Sequence, residues 1–85
     1  MPQFVYLLKC KDNTFYCGYT NNLEKRIEIH NLGKGSKYTR ARLPVKLIYV
    51  EEQPSKSSAL KREYRIKQLS RKEKEELIKN KKISC

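Results

Sequence analysis

No stretch of the 85-residue chain approaches the ~20 consecutive apolar residues that a membrane-spanning helix needs. The opening Met-Pro-Gln-Phe lacks a charged n-region and its apolar run stops at Lys9, which argues against a signal peptide. Cysteine is sparse: Cys10, Cys17 and Cys85 are odd in number and unrelated in spacing, so they form no disulfide framework, and no Cys-x-x-Cys pair suggests zinc. Reduced thiols in a cytoplasmic protein are the expectation. Acid is also scarce, with 9 Asp and Glu against 20 Lys and Arg, a formal charge of +11. So large a charge on so small a body attracts polyanions, and nucleic acid is the leading partner. An anionic membrane surface ranks second, but no strongly apolar amphipathic helix is present to insert there, so no membrane association is expected. Repeats, long linkers and shifts of composition are all missing. Residues 1–85 therefore read as one domain, with 38% hydrophobic residues to build a modest core.

Residues 3–10 are rich in aromatic and branched side chains and read as a strand. Lys11-Asp12-Asn13 signals a turn, and Phe15 to Thr20 reads as the returning strand of a hairpin. Gly18 inside that strand predicts a group packed or bound closely over it. Asn21, with Glu24 three residues on, marks a helix start, and Gly33 marks its stop. A basic loop, Gly33 to Arg42, precedes Pro44 and a third strand, Val45 to Val50. Pro54-Ser55 opens a second helix running to about Leu69. Ser70-Arg71-Lys72-Glu73 is a capping box for a short third helix that ends in the lysine-rich tail. The order β-β-α-β-α-α predicts an α+β fold, a small and mostly antiparallel sheet covered by helices.

Two helices carry charge where core residues belong. At 100° per residue, Ile27, Arg26 and His30 all fall within about 60° of Leu23 on the first helix. On the second, Glu63 and Ile66 fall within about 40° of Ala59, with Leu60 and Leu69 flanking that arc. An unpaired buried guanidinium costs several kcal/mol, so Arg26 needs an anionic partner or a wet cleft. Plainer readings exist for each residue. Glu63 and Lys67 at i, i+4 would make a surface ion pair. Arg26 would pair with Glu63 across the core, His30 would be a satisfied core histidine, and tyrosine is a common strand residue. Their joint appearance on the inward faces of two helices favours a shared site.

The tripeptides Val5-Tyr6-Leu7 and Tyr16-Cys17-Gly18, followed by Arg26, His30-Asn31, Lys37-Tyr38-Thr39-Arg40 and Glu63, resemble the GIY-YIG nuclease family, in particular its small stand-alone members. The match runs over roughly residues 4 to 80. The first motif has Val in place of Ile and begins with Val rather than Gly, and the second has Cys where Ile is usual; these middle positions are expected to pack into the sheet. The resemblance implies a three-stranded antiparallel sheet flanked by helices. It also implies catalytic roles for Tyr6, Tyr16, Arg26 and His30, and metal binding by Glu63.

On that footing the residues support metal-dependent hydrolysis of DNA. Glu63 would hold Mg²⁺ or Mn²⁺ while water and phosphate oxygens fill the other positions. Arg26 would clamp a non-bridging oxygen. Tyr6 and Tyr16 would orient or deprotonate the attacking water, helped by positive charge that lowers a phenol's pKa; His30, with an ordinary pKa near 6.5, needs no such help. The base stays open among these three. Lys34, Lys37, Arg40 and Arg42, with Tyr38 among them, suit phosphate tracking and base stacking, whereas Arg71 to Lys82 reads mainly as a solvated face. The expected activity is structure-selective or non-specific cutting in DNA repair or recombination, with DNA favoured over RNA. Two other readings stand beside it: a nucleic-acid-binding module without activity, and an accessory whose basic surface docks an acidic protein partner.

Overall fold

The computed structural model describes residues 2–80, so Cys85 and the last lysines of the tail lie outside the described residues. Three strands, β1 (Gln3–Lys9), β2 (Phe15–Thr20) and β3 (Lys46–Gln53), form an antiparallel sheet in the order β2-β1-β3. Among the described residues four helices accompany them: α1 (Leu23–Asn31), α2 (Lys37–Arg40), α3 (Lys56–Lys67) and α4 (Arg71–Asn80). The fold is the expected α+β class with one helix more than expected, because α2 interrupts what the sequence presents as a basic loop.

The central strand is buried on both faces. Val5, Tyr6, Leu7 and Leu8 are consecutive and nearly inaccessible, which alternating side chains permit only if both sides of the sheet are covered. On one side Val5, Leu7, Cys17 and Tyr49 pack with Ala59 and Ile66 of α3, joined by Leu77 and Ile78 of α4. On the other, Tyr6, Leu8, Cys10 and Val45 pack with Leu23 and Ile27 of α1. Each fully buried aliphatic side chain here stabilises the fold by about 1.5–3 kcal/mol. Leu60 departs from the arc expected of it and is exposed, so α3 docks through Ala59 and Ile66 alone among its fully buried positions.

Local polar groups set the element boundaries. In the hairpin turn Asn13 adopts a positive φ of 69°, and the Asp12 carboxylate accepts from the Thr14 amide and hydroxyl at 3.1 and 2.6 Å. The cap of α1 is Asn22 rather than Asn21, its side chain accepting from the Lys25 amide. Gly33, at φ 79°, ends α1 as expected, with Gly33 N donating to His30 O and Lys34 N to Ile29 O. Ser55 caps α3, and Ser70 and Glu73 exchange bonds at the start of α4. The third strand runs on past Val50 to Gln53. Its Glu51 is buried, accepting from Arg62 Nε at 2.6 Å, Gln53 Nε2 at 2.9 Å and the Tyr49 hydroxyl. Burial alone would raise the Glu51 pKa, but the bonds from Tyr49, Arg62 and Gln53 outweigh it and lower it. That knot fastens α3, and hence Glu63, to the sheet.

Candidate active site

The site is built over Gly18. In the β1–β2 register Tyr6 faces Gly18, and a Cβ added there would stand 2.6 Å from the Tyr6 hydroxyl and 3.3 Å from Tyr16 Cε2. The missing side chain therefore makes room for two phenols side by side. Tyr6 is buried and its hydroxyl lies 3.1 Å from His30 Nε2. Tyr16 is half-buried, and its ring meets the His30 ring edge-on at 5.1 Å.

His30 is fully buried, the only such residue of α1. Its other nitrogen, Nδ1, lies 2.9 Å from Thr39 Oγ1, and Thr39 Oγ1 lies 3.1 Å from Ser36 Oγ. Burial, with the Arg26 charge adding to it, pushes the His30 pKa down to about 4. The imidazole is thus neutral near pH 7, with both nitrogens engaged, contrary to the ordinary value expected from sequence. The Tyr6 phenol also differs from expectation. Burial raises its pKa, and Arg26 beside it opposes the rise without overcoming it; Tyr16 and Glu63 add to the rise.

Arg26 is half-buried on α1. Its Nη2 donates to the Gly35 carbonyl at 3.0 Å, and it lines a polar cleft with Gln3, Tyr19, Thr20, Asn21 and Lys56. Among the described residues no carboxylate lies within ion-pair distance of it. The wet cleft, not a buried pair with Glu63, is what accommodates the guanidinium.

Glu63 lies on α3, the helix packed on the opposite side of the sheet from α1, and its influence reaches Tyr6 past the edge strand. Cys17, the neighbour of Gly18, has its thiol 3.9 Å from the Glu63 carbonyl and its pKa pushed up to about 12 by burial and by the Glu63 charge. The Glu63–Lys67 contact expected of an i, i+4 pair does form, at 3.8 Å, with a well-exposed lysine. A pair that long and wet is worth little, so the carboxylate is not committed. Among the described residues no three His, Cys, Asp or Glu side chains cluster as metal ligands. The carboxylate of Glu63 would suit a hard cation that takes few protein ligands.

The basic segment divides between internal and outward roles. Lys34, Lys37 and Arg40 are exposed. Arg42 donates from Nε to Asp12 at 2.9 Å and from Nη1 to the Tyr38 carbonyl at 2.9 Å, and its guanidinium lies 4.0 Å over the Tyr38 ring. Tyr38 stacks on Tyr16 with centroids 6.1 Å apart. Arg42 and Tyr38 thus brace the site from outside while keeping part of their surface in solvent. Sequence reasoning takes Ser36 and Thr39 only as polar residues between the basic ones and gives Gly35 no role. It takes Lys67 only as a partner for Glu63 and gives Lys74 no role of its own; both line a groove with Tyr16, Cys17 and Tyr38. The one sequence signal for the first group is Ser36 three residues before Thr39, a helix-start spacing confirmed by the Thr39 amide donating to Ser36 Oγ.

Comparisons with known proteins agree with this architecture. A solved solution structure of a UPF0213 protein from Bacillus halodurans covers 95% of this chain, which spans 86% of it, at 47% identity and a TM-score of 0.63. A protein from E. faecalis is similar at 41% identity and a TM-score of 0.65, with coverage of 94% and 85%. A UPF0213 protein of Clostridium perfringens is 58% identical over 80 residues, which is 94% of this chain and 86% of that one. The family model described as the GIY-YIG catalytic domain matches residues 2–76. That domain is a nuclease fold and implies nucleic-acid binding. No described helix is long and apolar enough to cross a membrane. The chain belongs to the GIY-YIG family.

Proposed function

We propose that the protein is a metal-dependent endonuclease that hydrolyses phosphodiester bonds in DNA. The observation that supports this most is the pairing of Tyr6 and Tyr16 over Gly18, with the Arg26 charge acting on Tyr6 from α1 and the Glu63 charge acting on it from α3. Glu63 is the residue that would hold Mg²⁺ or Mn²⁺, which when bound supplies Lewis-acid neutralisation of the charge building on phosphate and leaving oxygen. Arg26 projects into the polar cleft and clamps a non-bridging oxygen. Tyr16, the more exposed phenol, orients the attacking water, and in its phenolate form it takes that water's proton and becomes the neutral phenol. Tyr6, buried and protonated near neutral pH, anchors that arrangement from behind. His30 acts through Tyr6 rather than on substrate, since it is inaccessible and its basicity is suppressed.

Lys34, Lys37 and Arg40, with Lys67 and Lys74 beside Tyr16, supply the phosphate-tracking surface. The body measures 30 × 29 × 27 Å, about one turn of duplex. So small a footprint favours recognition of DNA shape over a long sequence, as repair or recombination intermediates require. The buried thiols of Cys10 and Cys17 suit a cytoplasmic setting.

A nicking assay on linear, nicked and branched DNA, with an RNA strand in parallel, tests the reading. Cutting is expected with Mg²⁺ or Mn²⁺, is abolished by EDTA, and is lost in Glu63→Ala and Arg26→Ala. Wild-type protein that cuts nothing with any metal, or variants that cut like wild type, would overturn it. Salt-sensitive binding without cutting would then leave the binding-module reading in its place.

A further inference from the structure

We propose that Thr39 and Ser36 are positioning residues of the reaction: their hydroxyls hold His30 in one tautomer and thereby aim the Tyr6 hydroxyl. The contacts around the His30 ring converge on this. Thr39 is fully buried although it lies on a four-residue helix in a basic segment, and its hydroxyl lies 2.9 Å from His30 Nδ1. Ser36 holds that hydroxyl at 3.1 Å and fixes its backbone by accepting from the Thr39 amide, also at 3.1 Å. Gly35 lies against the imidazole with no side chain to push it away, while its carbonyl takes the Arg26 guanidinium at 3.0 Å.

The chemistry follows from the imidazole. A neutral ring has one donating and one accepting nitrogen, and the partner at one nitrogen decides the role of the other. Here the far partner is the Tyr6 hydroxyl, 3.1 Å from Nε2. Whatever Thr39 offers at Nδ1 therefore sets whether Tyr6 gives or receives a proton toward the ring, and so where its remaining hydrogen-bonding capacity points. The same short helix presents Lys37 and Arg40 to solvent. Its outer side meets phosphate on the reading above, and its inner side orders the phenol. Removing the inner hydroxyl should leave substrate affinity alone and slow the chemical step.

Two measurements on the full chain decide the matter. The first is independent of activity: the ¹⁵N shifts of His30 report its tautomer. Wild type and Thr39→Ser should share one tautomer, and Thr39→Val should lose or invert it. Wild type populating both tautomers, or Thr39→Val matching wild type, overturns the proposal whether or not the protein cuts DNA. The second rests on the endonuclease reading. Thr39→Val should lower kcat by about 10- to 100-fold, up to the scale of a misplaced reacting group, with KM within about twofold; Thr39→Ser should restore most of kcat. Unchanged kcat, or a loss carried by KM, overturns it. If Thr39→Val does not fold, Ser36→Ala takes its place in both measurements, under the same criteria.

Discussion

Gly35 lies so close to His30 that an added Cβ would stand 2.2 Å from the imidazole Nδ1 and 2.6 Å from Cγ. No real side chain tolerates such contacts, and His30 cannot retreat because it is itself fully enclosed. Gly35→Ala should therefore destabilise the fold by about 1–3 kcal/mol, as overpacking does, while also displacing the Arg26 anchor. Urea unfolding of the variant checks this; a midpoint equal to wild type would show that the segment yields freely.

Glu63→Gln keeps the shape of the side chain and removes its charge. Cutting should fall by about 100-fold or more, while affinity for DNA stays equal or improves, since one negative charge near phosphate is gone. Parallel nicking and fluorescence-anisotropy titrations separate the two effects. Loss of both together would mean that Glu63 holds the fold rather than a cation.

Arg26→Lys preserves charge but removes the planar fork. Because the guanidinium reaches both the Gly35 carbonyl and the polar cleft, lysine should recover little, leaving cutting reduced by about 100-fold. Arg26→Lys with near wild-type turnover in the nicking assay would argue that charge alone matters at this position.

The depressed pKa of His30 makes stability depend on pH in a defined window. The unfolded chain titrates near 6.5 and the folded one at about 4, so between these values the unfolded state binds more protons. The contribution is complete above pH 6.5, declines as pH falls through the window, and changes no further below about 4. Its full size is about 3 kcal/mol. Urea denaturation at pH 7, 5.5 and 4 should show the decline, and His30→Gln should flatten it.

Glu51→Ala leaves Arg62 and Tyr49 without their common acceptor beneath α3. A loss of about 1–3 kcal/mol is expected from the lost hydrogen bonds to a charged acceptor, less than for a fully buried pair because the Arg62 side chain is 38% exposed. Thermal melts report it directly. A shift under ~1 kcal/mol would mean that the guanidinium simply turns to solvent.

Periodicity made much of this readable. His30 and Arg26 declared themselves because α1 is long enough for a polar residue on the inward arc to stand out, and Gly18 because a strand interior seldom lacks a side chain. The segment from Gly33 to Arg42 hid its structure for the opposite reason. A four-residue helix shows no repeat, so Thr39 read as a polar loop residue although it is wholly enclosed. The third strand read as ending at Val50, yet it continues because Glu51 turns inward onto Arg62, a partner eleven residues away. His30 was legible as a core histidine, but the partners that engage its two nitrogens, Tyr6 and Thr39, were not, since they come from segments distant in the chain.

Tyr6 occupies the one strand whose two neighbouring residues, Val5 and Leu7, seal the opposite half of the interior. Any backbone adjustment that retunes the phenol is therefore transmitted straight through the sheet to α3 and α4. Adaptation toward new substrates has little freedom along this strand and much more on the solvent-facing lysines and arginines, where reach and charge vary without disturbing either interior.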